Sequence, residues 1–294
     1  MQGIFPVLQT PLTSSGDLDT DSLKRQVSFC IQAGAHGLVF PVLGSEFQYL
    51  SDRERQRLVP VVVAEAAGRI PVVAGVAGPS MAIAVEHARH AAEAGADAVI
   101  ALPPYLASPS QEESLAYYQA ISGAANRPIF IQHSGLAPMS PAFLVRLLKE
   151  VEHVHYIKEE RNPSAHNISQ VVQTVGDACR GVFGGAHGKW MLSEMKRGAV
   201  GFMPAAQTTD VYVQIWDAFQ AGDEAKARQI FNRHLPLINF ITLLGLRVCK
   251  EVLVRRGVIQ TTGMRAPGAM DLDAEDHTEL DAILEDLQDL FTVY

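Results

Sequence analysis

Short apolar runs alternate with longer amphipathic stretches along most of this chain, and that alternation limits the folds open to it. The runs are Ile4–Leu8, Gly37–Phe40, Pro71–Ala74, Ala98–Ala101, Pro128–Ile131, Val154–Ile157, Gly181–Phe183 and Gly201–Met203. Each is too short for a helix and too uniformly apolar for a strand with one wet face, so each reads as a buried parallel strand. The stretches between them carry helix punctuation. Ser51 with Glu54 and Ser110 with Glu113 have capping-box spacing, Ser80 is a further N-cap, and Ser140 precedes Pro141 at a first helical position. The exits repeat a helix end, a glycine and a small residue in Ala33-Gly34-Ala35, Ala94-Gly95-Ala96 and Arg197-Gly198-Ala199. Glycine there supplies a left-handed cap and a short return into the next strand. Eight such alternations predict a (β/α)8 TIM barrel over residues 1–220. An open doubly wound sheet is the alternative, because strand number alone does not prove closure.

Beyond residue 220 the strand signal stops. Asp223–Arg233, Leu235–Arg256 and Asp273–Val293 read as helices, with a loop around Thr261–Met270, so residues 221–294 form a helical extension packed on the barrel. The 294 residues are 48% hydrophobic and 19% charged, a globular composition. A net charge of −8 argues against a nucleic-acid or anionic-membrane partner. No secretory leader or membrane-length apolar run is visible, which points to the cytoplasm. Cys30, Cys179 and Cys249 are too few and too scattered for a disulfide framework and read as small core residues.

Chemistry in such a barrel sits at the C-terminal ends of the strands. That rule selects Thr10, Gly44-Ser45-Glu46, Tyr105, Gln132-His133, Lys158-Glu159-Glu160, Gly184-Gly185 and Pro204. Only one of these is a lysine closing a buried strand: Lys158, after His155-Tyr156-Ile157. It is either a surface lysine just past the strand or an amine held in the site. In the second case desolvation would favour the neutral amine, which can attack a ketone and form an iminium.

The residues Gly3-Ile4-Phe5-Pro6 with Thr10-Pro11, Glu46-Phe47-Gln48-Tyr49-Leu50-Ser51, Pro103-Pro104-Tyr105 and Tyr156-Ile157-Lys158-Glu159 carry a resemblance that runs nearly end to end. The chain resembles the dihydrodipicolinate synthase and N-acetylneuraminate lyase family of class I aldolases. The resemblance implies a Schiff base at Lys158, a carboxylate-binding loop at Val42-Leu43-Gly44-Ser45-Glu46, a 2-keto acid substrate and a homotetramer. It implies no metal and no organic cofactor. Two departures stand out. The family's proton-relay tyrosine falls on Gln132, and the arginine that holds the second substrate's carboxylate in dihydrodipicolinate synthases falls near Ala137, in a loop without arginine. Both speak against that synthesis. Together with the Gly44-Ser45-Glu46 loop, Pro103-Pro104-Tyr105 and Leu235-Pro236-Leu237-Ile238-Asn239, they look more like the branch containing 2-keto-3-deoxy-L-arabonate dehydratase.

The implied reaction is loss of water from a 2-keto-3-deoxy sugar acid, with pyruvate-releasing retro-aldol cleavage or keto-acid binding without turnover as alternatives. Gln132 cannot shuttle a proton. His133 could, but alternation along a strand turns it to the other face. Ser45 and Gly44 would take the substrate carboxylate, Tyr105 and Met203 would line the pocket, and Glu46 would be a structural acceptor. Tyr105 reads equally well as core packing or a subunit contact. Glu159 or Glu160 would pair with Arg161 as a surface or structural carboxylate. His87 and His90 read as an exposed helix face rather than a zinc site, and Gly75-Val76-Ala77-Gly78 lacks the spacing of a phosphate loop.

Overall fold

The computed structural model describes residues 1–293. In chain order the first elements are β1 (Gly3–Ile4), α1 (Thr20–Gln32), β2 (Leu38–Phe40), α2 (Asp52–Ala66), β3 (Val72–Gly75) and α3 (Met81–Glu93). Next come β4 (Ala98–Ala101), α4 (Gln111–Ala125), β5 (Ile129–His133), α5 (Pro141–Glu150), β6 (Val154–Glu159) and α6 (Ser164–Val175). The alternation ends with β7 (Gly181–Gly184), α7 (Met191–Met195), β8 (Ala199–Phe202) and α8 (Thr209–Gln220). Three helices follow: α9 (Glu224–Leu244), α10 (Leu246–Arg255) and α11 (Ala274–Leu287). This is a (β/α)8 barrel with a C-terminal helical extension. Among the described residues no helix is long and apolar enough to cross a membrane.

The chain divides into two compact units. One comprises Met1–Gln2 and Pro71–Met203. In it β3 to β8 each run parallel to the next strand in sequence, which is the order of a barrel and not the reversing order of a doubly wound sheet. The other comprises Gly3–Ile70 and Pro204–Tyr294. Within it Val7 bridges in parallel to both Val39 and Ala205, so the first strand has neighbours on both sides.

Local sequence chemistry explains most boundaries. Ser51 and Ser110 accept from the Glu54 and Glu113 amides while those glutamates reach back, closing two capping boxes. Gly34, Gly95 and Gly198 have φ of 85°, 88° and 95°, as the helix-exit pattern requires. Two expectations are corrected. The break near residue 234 is absent: α9 runs through Pro236 to Leu244 and stops at Gly245, whose φ of 85° and ψ of −166° no helix can hold. And the apolar runs ending at Ile131 and Ile157 stop short: β5 and β6 extend through His133 and Glu159, which keeps Lys158 at the close of its strand as expected.

Candidate active site

Strand register sorts the candidate residues onto two faces. Gln132 pairs with Lys158 and Lys158 with Phe183, while His133 pairs with Glu159 and Glu159 with Gly184. Partners in a parallel register share a face and neighbours along a strand alternate. Gln132, Lys158 and Phe183 therefore lie on one face, with His133 and Glu159 on the other. One layer below Gln132 and Lys158, Phe130 stacks on Tyr156 at 4.4 Å and Phe183 meets both edge-on. This aromatic layer lies under the lysine.

Lys158 is only 3% exposed. Its Nζ lies 3.2 Å from Oε1 of Glu160, which the same alternation returns to the lysine's face. The Gln132 amide donates to Oε2 of Glu160 at 2.7 Å, and the Ala186 backbone N–H donates to Oε1 at 3.1 Å. Burial pushes the Glu160 carboxyl up, but the Lys158 charge, the Gln132 amide and the Ala186 amide outweigh it and hold the group below the ordinary glutamate value. Gly185 makes room for this arrangement: a Cβ there would stand 2.3 Å from Cγ of Glu160. Glu160 is thus no surface carboxylate paired with Arg161. The alternation that turns His133 away carries enough information to find it.

His187 follows on the same loop in a left-handed conformation, φ 58°. Burial pushes its imidazole down to about 4, against the pull of Glu160 and with help from the Lys158 and Lys189 charges, so it is neutral at physiological pH.

His133 is locked elsewhere. Its Nε2 accepts the Met139 N–H at 3.1 Å, which leaves the proton on Nδ1 to be donated to Glu159 Oε2 at 2.7 Å. Glu159 also accepts the Arg161 N–H, and Arg161 reaches the Met139 carbonyl. This network ties the β5–α5 loop to the end of β6. Tyr105 is half-buried, and Met203 is buried with its N–H on the Gly184 carbonyl at 2.9 Å. His87 is buried at 4% exposure instead of exposed, because α3 turns Ala84, His87, Ala88 and Ala91 inward at helical spacing.

In the other unit, Leu43–Ser45 form a single tight turn. The Ser45 hydroxyl donates to the Leu8 carbonyl at 2.6 Å and accepts the Val42 N–H at 3.2 Å, while Thr10 donates to the Ser45 carbonyl. Ser45 therefore shapes the turn with its side chain. Glu46 closes the turn at φ 60° and is buried. Its Oε2 accepts Lys250 Nζ at 2.8 Å, and its Oε1 accepts the Arg265 and Ala266 amides at 2.8 Å each. Lys250 also reaches the Gly263 carbonyl, so this ion pair pins the 263–266 loop to the Gly44-Ser45-Glu46 segment.

The comparisons with known proteins agree with one another. The model of the dihydrodipicolinate synthetase family matches residues 1–287. L-2-keto-3-deoxyarabonate dehydratase of Azospirillum brasilense is 32% identical over 298 residues, covering 98% of this chain and 95% of that protein. The 4-hydroxy-tetrahydrodipicolinate synthase of Rhizobium meliloti (strain 1021) is 30% identical, covering 96% and 97%. The crystal structure of a putative dihydrodipicolinate synthetase from Pseudomonas aeruginosa superposes with a TM-score of 0.91 at 28% identity, covering 98% and 99%. With the family match spanning nearly the whole chain, this protein belongs to the dihydrodipicolinate synthetase family.

Proposed function

We propose that the chain is a Schiff-base hydro-lyase that dehydrates a 2-keto-3-deoxy sugar acid such as 2-keto-3-deoxy-L-arabonate. The observation that carries this reading is the carboxylate of Glu160 at 3.2 Å from the Lys158 amine, with Gln132 where a tyrosine relay would stand. The dehydratase among its relatives supports the choice.

Lys158 gives up a proton to Glu160 and attacks the C2 ketone; loss of water from the carbinolamine leaves an iminium. The iminium acidifies C3. Glu160 takes a C3 proton as the C–H electron pair moves into the enamine. The enamine then expels the C4 hydroxyl, which leaves as water with the proton carried by Glu160. Transfer of a C5 proton in the conjugated iminium makes the terminal carbinol an enol and then an aldehyde. Hydrolysis releases the lysine, so one water is lost overall and no electron donor is needed. Gln132 holds Glu160 in place through the cycle. In this reading the Gly44–Ser45 turn takes the substrate carboxylate, Tyr105 and Met203 line the pocket, and His133 is structural. The working assembly is a homotetramer.

Incubation with 2-keto-3-deoxypentonates tests the proposal. A semialdehyde product is expected. Stoichiometric pyruvate would instead show retro-aldol cleavage, and failure of borohydride to trap pyruvate on Lys158 would leave only a binding protein.

A further inference from the structure

Gly184 ends β7 and Gly185 follows it, and each makes room for a different carboxyl. A Cβ on Gly185 would collide with Glu160, whereas a Cβ on Gly184 would stand 2.4 Å from Oε2 of Glu194 and 2.5 Å from the Phe202 ring. Glu194 thus packs against Gly184 and Glu160 against Gly185, one on each of two adjoining backbone positions. Glu194, on α7, is 2% exposed. Its Oε1 accepts the hydroxyl of Ser164, the first residue of α6, and its Oε2 has no hydrogen-bond partner among the described residues.

We propose that Glu194 is a positioning residue for Glu160: a second carboxyl behind the Gly184–Gly185 strand end whose charge state sets how strongly Glu160 binds a proton. The inference rests on Glu160 being the base of the proposed reaction.

The surroundings favour this use. The charged groups that act on Glu194 are Glu159 and Glu160 at the end of β6; Ser164 faces it from α6, the Gly184 backbone from β7 and the Phe202 ring from β8. Burial and the two carboxylates together raise its carboxyl to about 7, with the Ser164 hydroxyl opposing. A carboxyl with an unpartnered oxygen pressed on a glycine is comfortable protonated and uncomfortable ionised. When it ionises, a negative charge appears behind Glu160, and a base beside a new like charge holds its proton more tightly. Coupling of this kind is reciprocal, so removing the charge of Glu160 must ease the ionisation of Glu194.

That reciprocity gives a test without substrate. In the full-length protein, the infrared carbonyl stretch of a protonated carboxyl should fade as pH rises through about 7 and be missing from Glu194→Gln. Its midpoint should fall in Glu160→Gln and rise in Ser164→Ala. A midpoint unmoved by Glu160→Gln, or a wild type lacking the band, overturns the inference. The second arm follows exchange of pyruvate methyl protons in deuterium oxide by proton NMR, in which Glu160 removes a proton from the iminium and returns a deuteron. The wild-type rate profile should bend near 7, and the bend should vanish in Glu194→Gln. A bend that survives in that variant also overturns the inference. Absence of exchange in the wild type counts against the Schiff-base reading, while the infrared midpoints decide the role of Glu194 independently.

Discussion

The amine of Lys158 and the carboxylate of Glu160 meet at 3.2 Å although both come from one continuous stretch of chain at the end of β6. Two positions along a strand return to the same face, so the sequence Lys-Glu-Glu is enough to place an acid–base group beside the amine. Replacing Glu160 with Gln should lower kcat for dehydration by about 10²–10⁴-fold, the usual contribution of a positioned base. Borohydride trapping of pyruvate on Lys158, read by mass spectrometry, should still occur but more slowly, because Glu160 also takes the lysine's proton. Because Glu160 ionises below the ordinary value of 4.5, the loss of rate that comes from protonating Glu160 itself should set in only as pH drops below that value, separate from the bend near 7 assigned to Glu194.

The two glycines at the end of β7 should respond differently to an added methyl group. Gly185→Ala would press its new methyl group on Glu160, the residue that must move. We expect loss of turnover with little change in thermal stability. Gly184→Ala presses on a buried ring and a buried carboxyl, and should cost about 1–3 kcal/mol of stability in urea titrations.

His133 looked like a replacement for the missing tyrosine, but its ring bridges Met139 and Glu159. His133→Ala should leave Glu159 buried without that donor and destabilise the protein by about 1–3 kcal/mol or more. At a temperature where the variant is folded, Schiff-base trapping should proceed as in the wild type; complete loss of it would return His133 to the list of catalytic groups.

Periodicity made the fold legible. The eight apolar runs, the serine caps and the glycine exits all appear in the structure, because each reflects a local rule obeyed in a few residues. The errors came where distant packing decides. His87 is buried by the neighbours of α3, Pro236 is tolerated inside α9, and Gly245 ends that helix instead. In the site, Lys158 and Gln132 could be read from strand position. Glu160 was within reach of the same alternation rule, whereas nothing near Glu194 in the sequence says that β7 will lay a bare glycine against it.

Glu194 should also leave a mark on stability. Its carboxyl titrates near 7 folded against 4.5 when solvated, so between those values the folded state holds the extra proton and stability must fall as pH rises. Glu194→Gln removes this penalty. The variant should match the wild type near pH 4.5 and exceed it above pH 7 by up to about 3 kcal/mol at 1.36 kcal/mol per pH unit, measured by urea denaturation across that range.

Lys250 and Glu46 are 1% and 2% exposed. Breaking such a pair from one side leaves a buried charge, so Lys250→Met alone should cost about 3–5 kcal/mol. Lys250→Met combined with Glu46→Gln should recover much of that loss, since the amide can still accept from the Arg265 and Ala266 N–H groups. A double-mutant cycle by calorimetry would measure the coupling.

Val7 meets Val39 on one flank and Ala205 on the other. Those partners leave the ribosome far apart in time: Ala205, which covers the second flank, is synthesised long after Val39. Until then a nascent molecule carries raw backbone donors and acceptors that another nascent copy could capture. The interval of translation between Val39 and Ala205 is therefore the one in which that flank stands open to capture.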